Sequence, residues 1–220
     1  FEGSPHLESN EKSIVESLVH DFKGELRDLK LNLEKENKID GSILFQIEMM
    51  NEMLLAVEDY YSFYHKEIKK SSLDLPSLIK NCFQKIQERG QNRTIEFNIS
   101  LKKSKKSNES DLKGDDYLIK KALSLLIENA WKFTKDLPNA TIIVGEEDIK
   151  GEHFFYLYNN GPNLPHEVNI FDLFYGKRSG HDKAGLGIGL PLAKLIFEKH
   201  GGRLWAKNND GGGVKFYFNF

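Results

Sequence analysis

The chain has 220 residues, 39% of them hydrophobic, with 31 Lys plus Arg against 33 Asp plus Glu and a formal net charge of −2. That is enough for one or two packed domains, and it carries no global basic excess of the kind that marks a nucleic-acid binder. The single cysteine, Cys82, excludes an internal disulfide and fits a reducing, cytoplasmic setting as a small apolar side chain. No apolar run approaches the ~20 residues of a membrane span. The start Phe1-Glu2-Gly3-Ser4, without methionine, reads as a fragment of a longer protein.

The first seventy residues hold one proline (Pro5) and three glycines (Gly3, Gly24, Gly41). Val15, Leu18, Phe22, Leu26, Leu29 and Leu33 recur at steps of three and four, and so do Ile43, Ile47, Met50, Leu54, Val57, Tyr61, Tyr64 and Ile68. Both runs predict amphipathic helices with nearly heptad seams. Between them a polar turn offers Asp40 or Ser42 as an N-cap. Two helices alone cannot bury two such stripes, so a helical hairpin over 8–70 is expected, forming a four-helix bundle as a homodimer. Ser71 to Pro76 reads as a linker, with a second domain over 77–220.

In that second part Leu78, Ile79, Cys82, Phe83 and Ile86 predict a helix ending near Gly90. The alternation in Thr94–Leu101 predicts a strand. Lys102–Lys113 is polar and reads as surface loop. Asp116–Lys132 predicts a helix with Leu118, Ala122, Leu125, Leu126 and Ala130 on its apolar face. Thr141–Gly145, Phe154–Tyr158 and Val214–Phe220 are further strands. Mixed helices and hairpin-spaced strands argue an α+β two-layer sandwich, a mainly antiparallel or mixed sheet with helices on one face.

Three segments of this part carry candidate chemistry. Asn129, at the end of its helix, offers a hard amide oxygen suited to Mg²⁺ when phosphates and water complete the shell; Lys132 shares its helical face and suits phosphate charge, and Phe133 suits a purine ring. Asn159 ends a strand at a Gly/Pro turn, where its amide oxygen can accept a hydrogen bond from an adenine amino group and Gly161 lets the base approach the backbone. Gly185-Leu186-Gly187-Ile188-Gly189-Leu190-Pro191 is the most telling run: glycines at alternate positions open a helix that Pro191 can begin and Gly201-Gly202 can end. The free N–H groups and dipole at such a helix start form an anion site fit for a polyphosphate. The glycines come near the C-terminus with no βαβ unit around them, against a dinucleotide fold, and no Gly-Lys-Ser or Gly-Lys-Thr marks a P-loop.

Taken in order, these segments resemble the ATP-binding domain of sensor histidine kinases and the wider gyrase–Hsp90–MutL family, over residues 73–220. Asn129-Ala130-x-Lys132-Phe133-Thr134 looks like its Asn box, and Asn159-x-Gly161 stands where an adenine-reading Asp-x-Gly usually lies. Ile170-Phe171-Asp172-Leu173-Phe174 looks like the Phe box, and Gly185-x-Gly187-x-Gly189-Leu190 matches the second glycine box. Leu18-Val19-His20-Asp21-Phe22-Lys23 then resembles the phospho-acceptor His box of the same kinases. At about 100° per residue His20 points well away from Leu18 and Phe22, which leaves it facing solvent.

The resemblance implies ATP and Mg²⁺ as cofactors and autophosphorylation of His20, with Asp21 holding or accepting the other imidazole proton. It implies Asn129 as metal ligand, with Lys132, Phe133, Asn159, Gly161, Gly185, Leu186, Gly187, Ile188 and Gly189 around the nucleotide, and Lys177 and Arg178 in a lid. Its partners would be a second copy of the chain and a response-regulator receiver domain docking near Leu18 and Phe22. An upstream sensor domain, and any membrane tether, would lie outside this chain. Departures from the family's pattern bear on this. Asn159 replaces an Asp; Leu125 stands where ATP-hydrolysing relatives carry a water-activating Glu, against a simple ATPase; Gly24 and Glu25 follow His20 where Thr or Asn, and Pro, are frequent. They leave open a degenerate kinase that regulates by binding alone.

Overall fold

The computed structural model describes residues 5–35, 40–90, 93–101, 112–165, 168–175 and 187–220. It divides into two compact units, Phe1–Glu67 and Ile68–Phe220. Among the described residues no helix is long and apolar enough to cross a membrane.

The first unit is a hairpin of α1 (Pro5–Lys35) and α2 (Gly41–His65). Of the two N-cap candidates Asp40 is the one used: its carboxylate accepts the Ile43 N–H at 2.8 Å. Val19 and Leu26 of α1 and Ile47 of α2 are buried, and Lys23 Nζ donates to Glu58 across the hairpin at 2.5 Å. Leu18, Phe22 and Leu29 on α1, and Phe45, Met50, Leu55 and Tyr64 on α2, are exposed. The α1 seam read from sequence is therefore displaced by one position. Its apolar stripe is wider than one helix contact can cover, so Val19 turns inward and Leu18 and Phe22 are left outside.

The second unit opens with β1 (Ser71–Ser72), α3 (Leu75–Arg89), β2 (Glu96–Ser100), β3 (Lys113–Gly114) and α4 (Asp116–Phe133). The segment read as linker is thus already structured: Ser71 and Ser72 pair with Gly114 and Lys113, and Asp74 caps α3, with Pro76 in its first turn. Then come β4 (Thr141–Ile149), β5 (Glu152–Asn159), α5 (Gly189–Lys199), β6 (Leu204–Asn208) and β7 (Val214–Phe218). The main sheet runs β2-β4-β5-β7-β6, with β2 parallel to β4 and every other pair antiparallel. Lys150 and Gly151, both at positive φ, make the two-residue turn that the β4–β5 hairpin demands. Strands β1 and β3, and β6 in the main sheet, are elements that the sequence pattern does not predict.

Strand alternation sorts the side chains by face. Ile142, Val144, Leu157, Phe216 and Phe218 point to the helices, where Ile79, Leu118, Ile119, Leu126, Ile127 and Phe197 complete a sealed core. Phe83 of α3 stacks on Phe97 of β2, and Phe197 of α5 on Phe218 of β7. Each such side chain contributes about 1.5–3 kcal/mol by leaving water. The opposite face carries Tyr156, Tyr217, Trp205 and Lys215, with Trp205 stacked on Tyr217.

His200 follows Lys199 at the end of α5, where a histidine usually serves as a helix-terminal charge, but this one is buried. It is 4% exposed. Its Nδ1 meets the Ile196 carbonyl at 2.7 Å and so carries the proton, while Nε2 accepts the Asp115 N–H at 3.0 Å. Burial, the largest influence, pushes its pKa below the usual 6.5, against a smaller opposing pull from the Ile196 bond. The unfolded chain therefore takes up this proton first as pH falls. Stability of the second unit should be whole above about pH 6.5 and decline as pH drops through the window below it. Urea unfolding at pH 8 and pH 5.5 checks this: His200→Gln, which keeps an acceptor but cannot titrate, should lose less stability between the two pH values than the wild type.

Candidate functional site

Helix α4 organises the candidate site. Asp115 caps it, its carboxylate accepting the Leu118 N–H at 3.1 Å, and Asp116 and Lys132 complement its dipole at the two ends. Leu125, Asn129 and Phe133 recur every four residues and so form one stripe. A Cβ added to Gly189, the first residue of α5, would touch Leu125 Cδ2 at 3.4 Å. A Cβ added to Gly161 would lie 3.1 Å from the Phe133 carbonyl oxygen and 2.7 Å from Asn159 Oδ1. The start of α5 therefore meets one end of the stripe and the Asn159–Gly161 turn meets the other. Asn129 lies between them along about 12 Å of helix.

The groups along this stripe are free to act on a ligand. Neither Asn129 nor Lys132 has a side-chain partner among the described residues, and burial, then Lys135, pushes the Lys132 pKa down. A half-buried ammonium without a counter-ion gains from an incoming anion. At the start of α5 no side chain caps the helix, and Pro191 brings no N–H. The N–H groups of Ile188, Gly189 and Leu190 thus have no partner inside the helix. Gly187 takes φ +76°, and its carbonyl accepts the Phe174 N–H at 3.0 Å, which ties the segment 168–175 to the glycine run. Asn159 is 2% exposed, and its Oδ1 accepts the Gly161 N–H at 3.0 Å. One lone pair of the amide oxygen expected to face a base is thus taken by the turn. Lys177, Arg178, Gly185 and Leu186 lie outside the described residues.

The other candidate group stands on the hairpin. His20 is 88% exposed, and its Nδ1 faces Asp21 Oδ1 at 3.4 Å. The Nε2 edge is thereby left outward. His20 heads a stripe with Lys23, Gly24 and Arg27 that, with Asn51 and Leu55 of α2, lines a cleft of ≈ 400 Å³. Leu18 and Phe22 lie about 160° round the helix from it, so the surface beside His20 is this cleft and not the pair expected from sequence.

Residues 114–220 match the family model described as "Histidine kinase-, DNA gyrase B-, and HSP90-like ATPase". The matched domain, the relatives and the solved structures together support a histidine kinase catalytic core. It is similar to the sensor protein KdpD of Clostridium acetobutylicum, 27% identical over 200 residues that cover 89% of this chain and 21% of that protein. The chain spans about a fifth of that relative's length. Among solved structures it is similar to the catalytic domain of histidine kinase ThkA, at 27% identity and a TM-score of 0.53 over 70% of this chain and 96% of that one. It shares its fold with full-length ShkA in complex with AMPPNP, at 18% identity and a TM-score of 0.64 over 94% of this chain and 45% of that one.

Several residues that brace the segments around the candidate site have no signal in the sequence. Asn208 of β6 clamps the backbone of Leu164 from both sides, accepting its N–H at 2.7 Å and donating to its carbonyl at 3.1 Å. Asn160 accepts the Thr141 N–H and donates to the Asn139 carbonyl. Arg93 donates to the carbonyls of Trp131 and Thr134, where α4 ends and its dipole is negative. Each partner lies nineteen or more residues away, so only the fold joins them. Gly161→Ala should cost about 1–3 kcal/mol by overpacking against the Phe133 carbonyl and the Asn159 amide. Urea unfolding of the variant against wild type measures it.

Proposed function

We propose that this chain is an ATP-dependent protein-histidine kinase of a two-component system, autophosphorylating His20 and passing the phosphoryl group to an aspartate of a response-regulator receiver domain. The observation that carries the proposal is His20 itself: an imidazole 88% exposed, one nitrogen facing a carboxylate and the other turned outward, on a chain whose residues 114–220 match an ATPase family model.

The cleft fits the implied nucleotide. Gly161 lets the β5 turn close up on the end of α4 at Phe133, which sets Asn159 and Phe133 side by side for a base; the Ile188–Leu190 N–H groups and the unpaired Lys132 suit phosphates. Among the described residues no group of three or more His, Cys, Asp or Glu could cage an ion. The amide oxygen of Asn129 suits Mg²⁺ that arrives with phosphate oxygens and keeps its waters. Bound there, Mg²⁺ supplies charge neutralisation across the phosphate oxygens. Lys177, Arg178, Gly185 and Leu186 are assigned to the same nucleotide by the sequence pattern.

In the transfer, the Nε2 lone pair of neutral His20 attacks the γ-phosphorus. The bond to the β-phosphate oxygen breaks, and ADP leaves with that electron pair. The Nδ1 proton passes to Asp21, so positive charge does not build up on the ring. Positioning and electrostatics carry most of the work in such a reaction. In the second step a receiver carboxylate oxygen attacks the same phosphorus, the N–P bond breaks, and the imidazole regains its proton. The receiver docks against the His20–Arg27 cleft. The exposed Leu18, Phe22 and Leu29 support burial against a second copy as a four-helix bundle.

Gly24, Leu125 and Asn159 depart from the family's pattern and favour a second reading, a regulatory module that binds nucleotide or a partner without transfer. Incubation with γ-labelled ATP and Mg²⁺ separates the two. Acid-labile label should appear on the wild type, vanish in His20→Ala, and fall at least a hundredfold in Asn129→Ala while the dimer persists by light scattering. Nucleotide binding with no label under any condition selects the second reading.

A further inference from the structure

Asn159 closes β5 on the helix-facing side of the sheet, paired with Ile142 and Val214, both buried. A backbone N–H only donates, so the Asn159 atom that the Gly161 N–H meets at 3.0 Å is the carbonyl Oδ1. That contact fixes which way round the carboxamide sits. Its Nδ2 has no partner among the described residues. The only side-chain nitrogen or oxygen sealed without a partner among them is His65 Nε2, so Asn159 Nδ2 keeps an opening. Its two N–H donors belong to the same carboxamide whose oxygen holds the Gly161 turn.

We infer that Asn159 makes this site a reader of 6-oxopurine nucleotides, taking inosine and guanosine triphosphates at least as well as ATP. The inference rests on the nucleotide site of the proposed function and concerns only the edge of the base that meets β5. A carboxylate in this place would hold the Gly161 N–H with one oxygen and offer the other to the C6 amine of adenine. The amide makes the same inner bond and offers a donor instead. Donor against amine leaves both groups unmatched, whereas donor against the O6 acceptor of guanine or hypoxanthine pairs them. An enclosed polar group left unpaired is what discriminates between bases of nearly equal shape.

Calorimetric titration of the full chain with ATP, GTP and ITP tests this. ITP, and GTP where its 2-amino group is accommodated, should bind at least as tightly as ATP. Asn159→Asp should move the ATP-to-ITP affinity ratio about tenfold toward ATP. Should that variant fail to fold, purine riboside triphosphate, which lacks any 6-substituent, replaces it: tighter binding of ITP than of this analogue to the wild type supports the O6 contact, and equal binding overturns it. ATP binding more tightly than both oxopurine nucleotides overturns the inference and leaves the kinase reading standing. No binding of any of these nucleotides overturns the nucleotide site itself, and with it the proposed function.

Discussion

The candidate site in the second unit depends on the approach of the β5 turn to the end of α4. The Phe133 carbonyl lies where it leaves no room for a side chain at position 161. Three layers of structure depend on that contact. It sets the height of Asn159 on the inner face of the sheet, holds the end of α4 against the strand, and with the Leu125–Gly189 contact fixes Asn129 between two glycine-lined walls. The sealed core beneath, from Leu118 to Ile127 on α4 and Ile142 to Phe218 on the strands, supplies the stability against which this tight approach is held. A looser helix–strand packing would keep the fold and lose the geometry of the cleft.

The hairpin follows a different logic. Its interior takes Val19, Leu26 and Ile47, and more apolar surface remains outside than a solvated pair of helices needs. Surplus of that kind is normal where another helix pair covers it. His20 lies on the other side of α1 from Leu18 and Phe22, so association through those residues and display of the imidazole do not compete for the same surface. Lys23 is engaged by Glu58, whereas the Arg27 guanidinium is mostly exposed and, among the described residues, pairs only with its neighbour Asp28, at 3.7 Å. The positive charge beside His20 is therefore available to an acidic or phosphorylated partner.

Much of the architecture is written in local patterns. The period of 3.6 residues located α1 to α5, strand alternation located β2, β4, β5 and β7, and Asp40 and the Gly201-Gly202 stop are legible as helix boundaries. Local reading failed where long-range partners decide. Ser71 and Ser72 look like linker until Lys113 and Gly114 pair with them, and Leu204–Asn208 is too short and too polar at its end to announce a strand until β7 lies beside it. His200 beside Lys199 looks like a terminal charge because nothing nearby in sequence reveals the Asp115 amide that it accepts from. At the site, the residue types along α4 and the glycine run were legible. The orientation of the Asn159 amide was not, because it is set by one backbone N–H two residues on.

The two tryptophans of the chain stand in different surroundings within the second unit. Trp131, on α4, has the Arg93 guanidinium over its ring and Phe83 at its edge. Trp205 is stacked on Tyr217, on the sheet face turned away from the helices. Each layer of the sandwich thus carries its own intrinsic fluorophore, and one emission spectrum divides into a helix-side and a sheet-side component. Replacing either indole by phenylalanine turns the remaining one into a light-based gauge of a single layer.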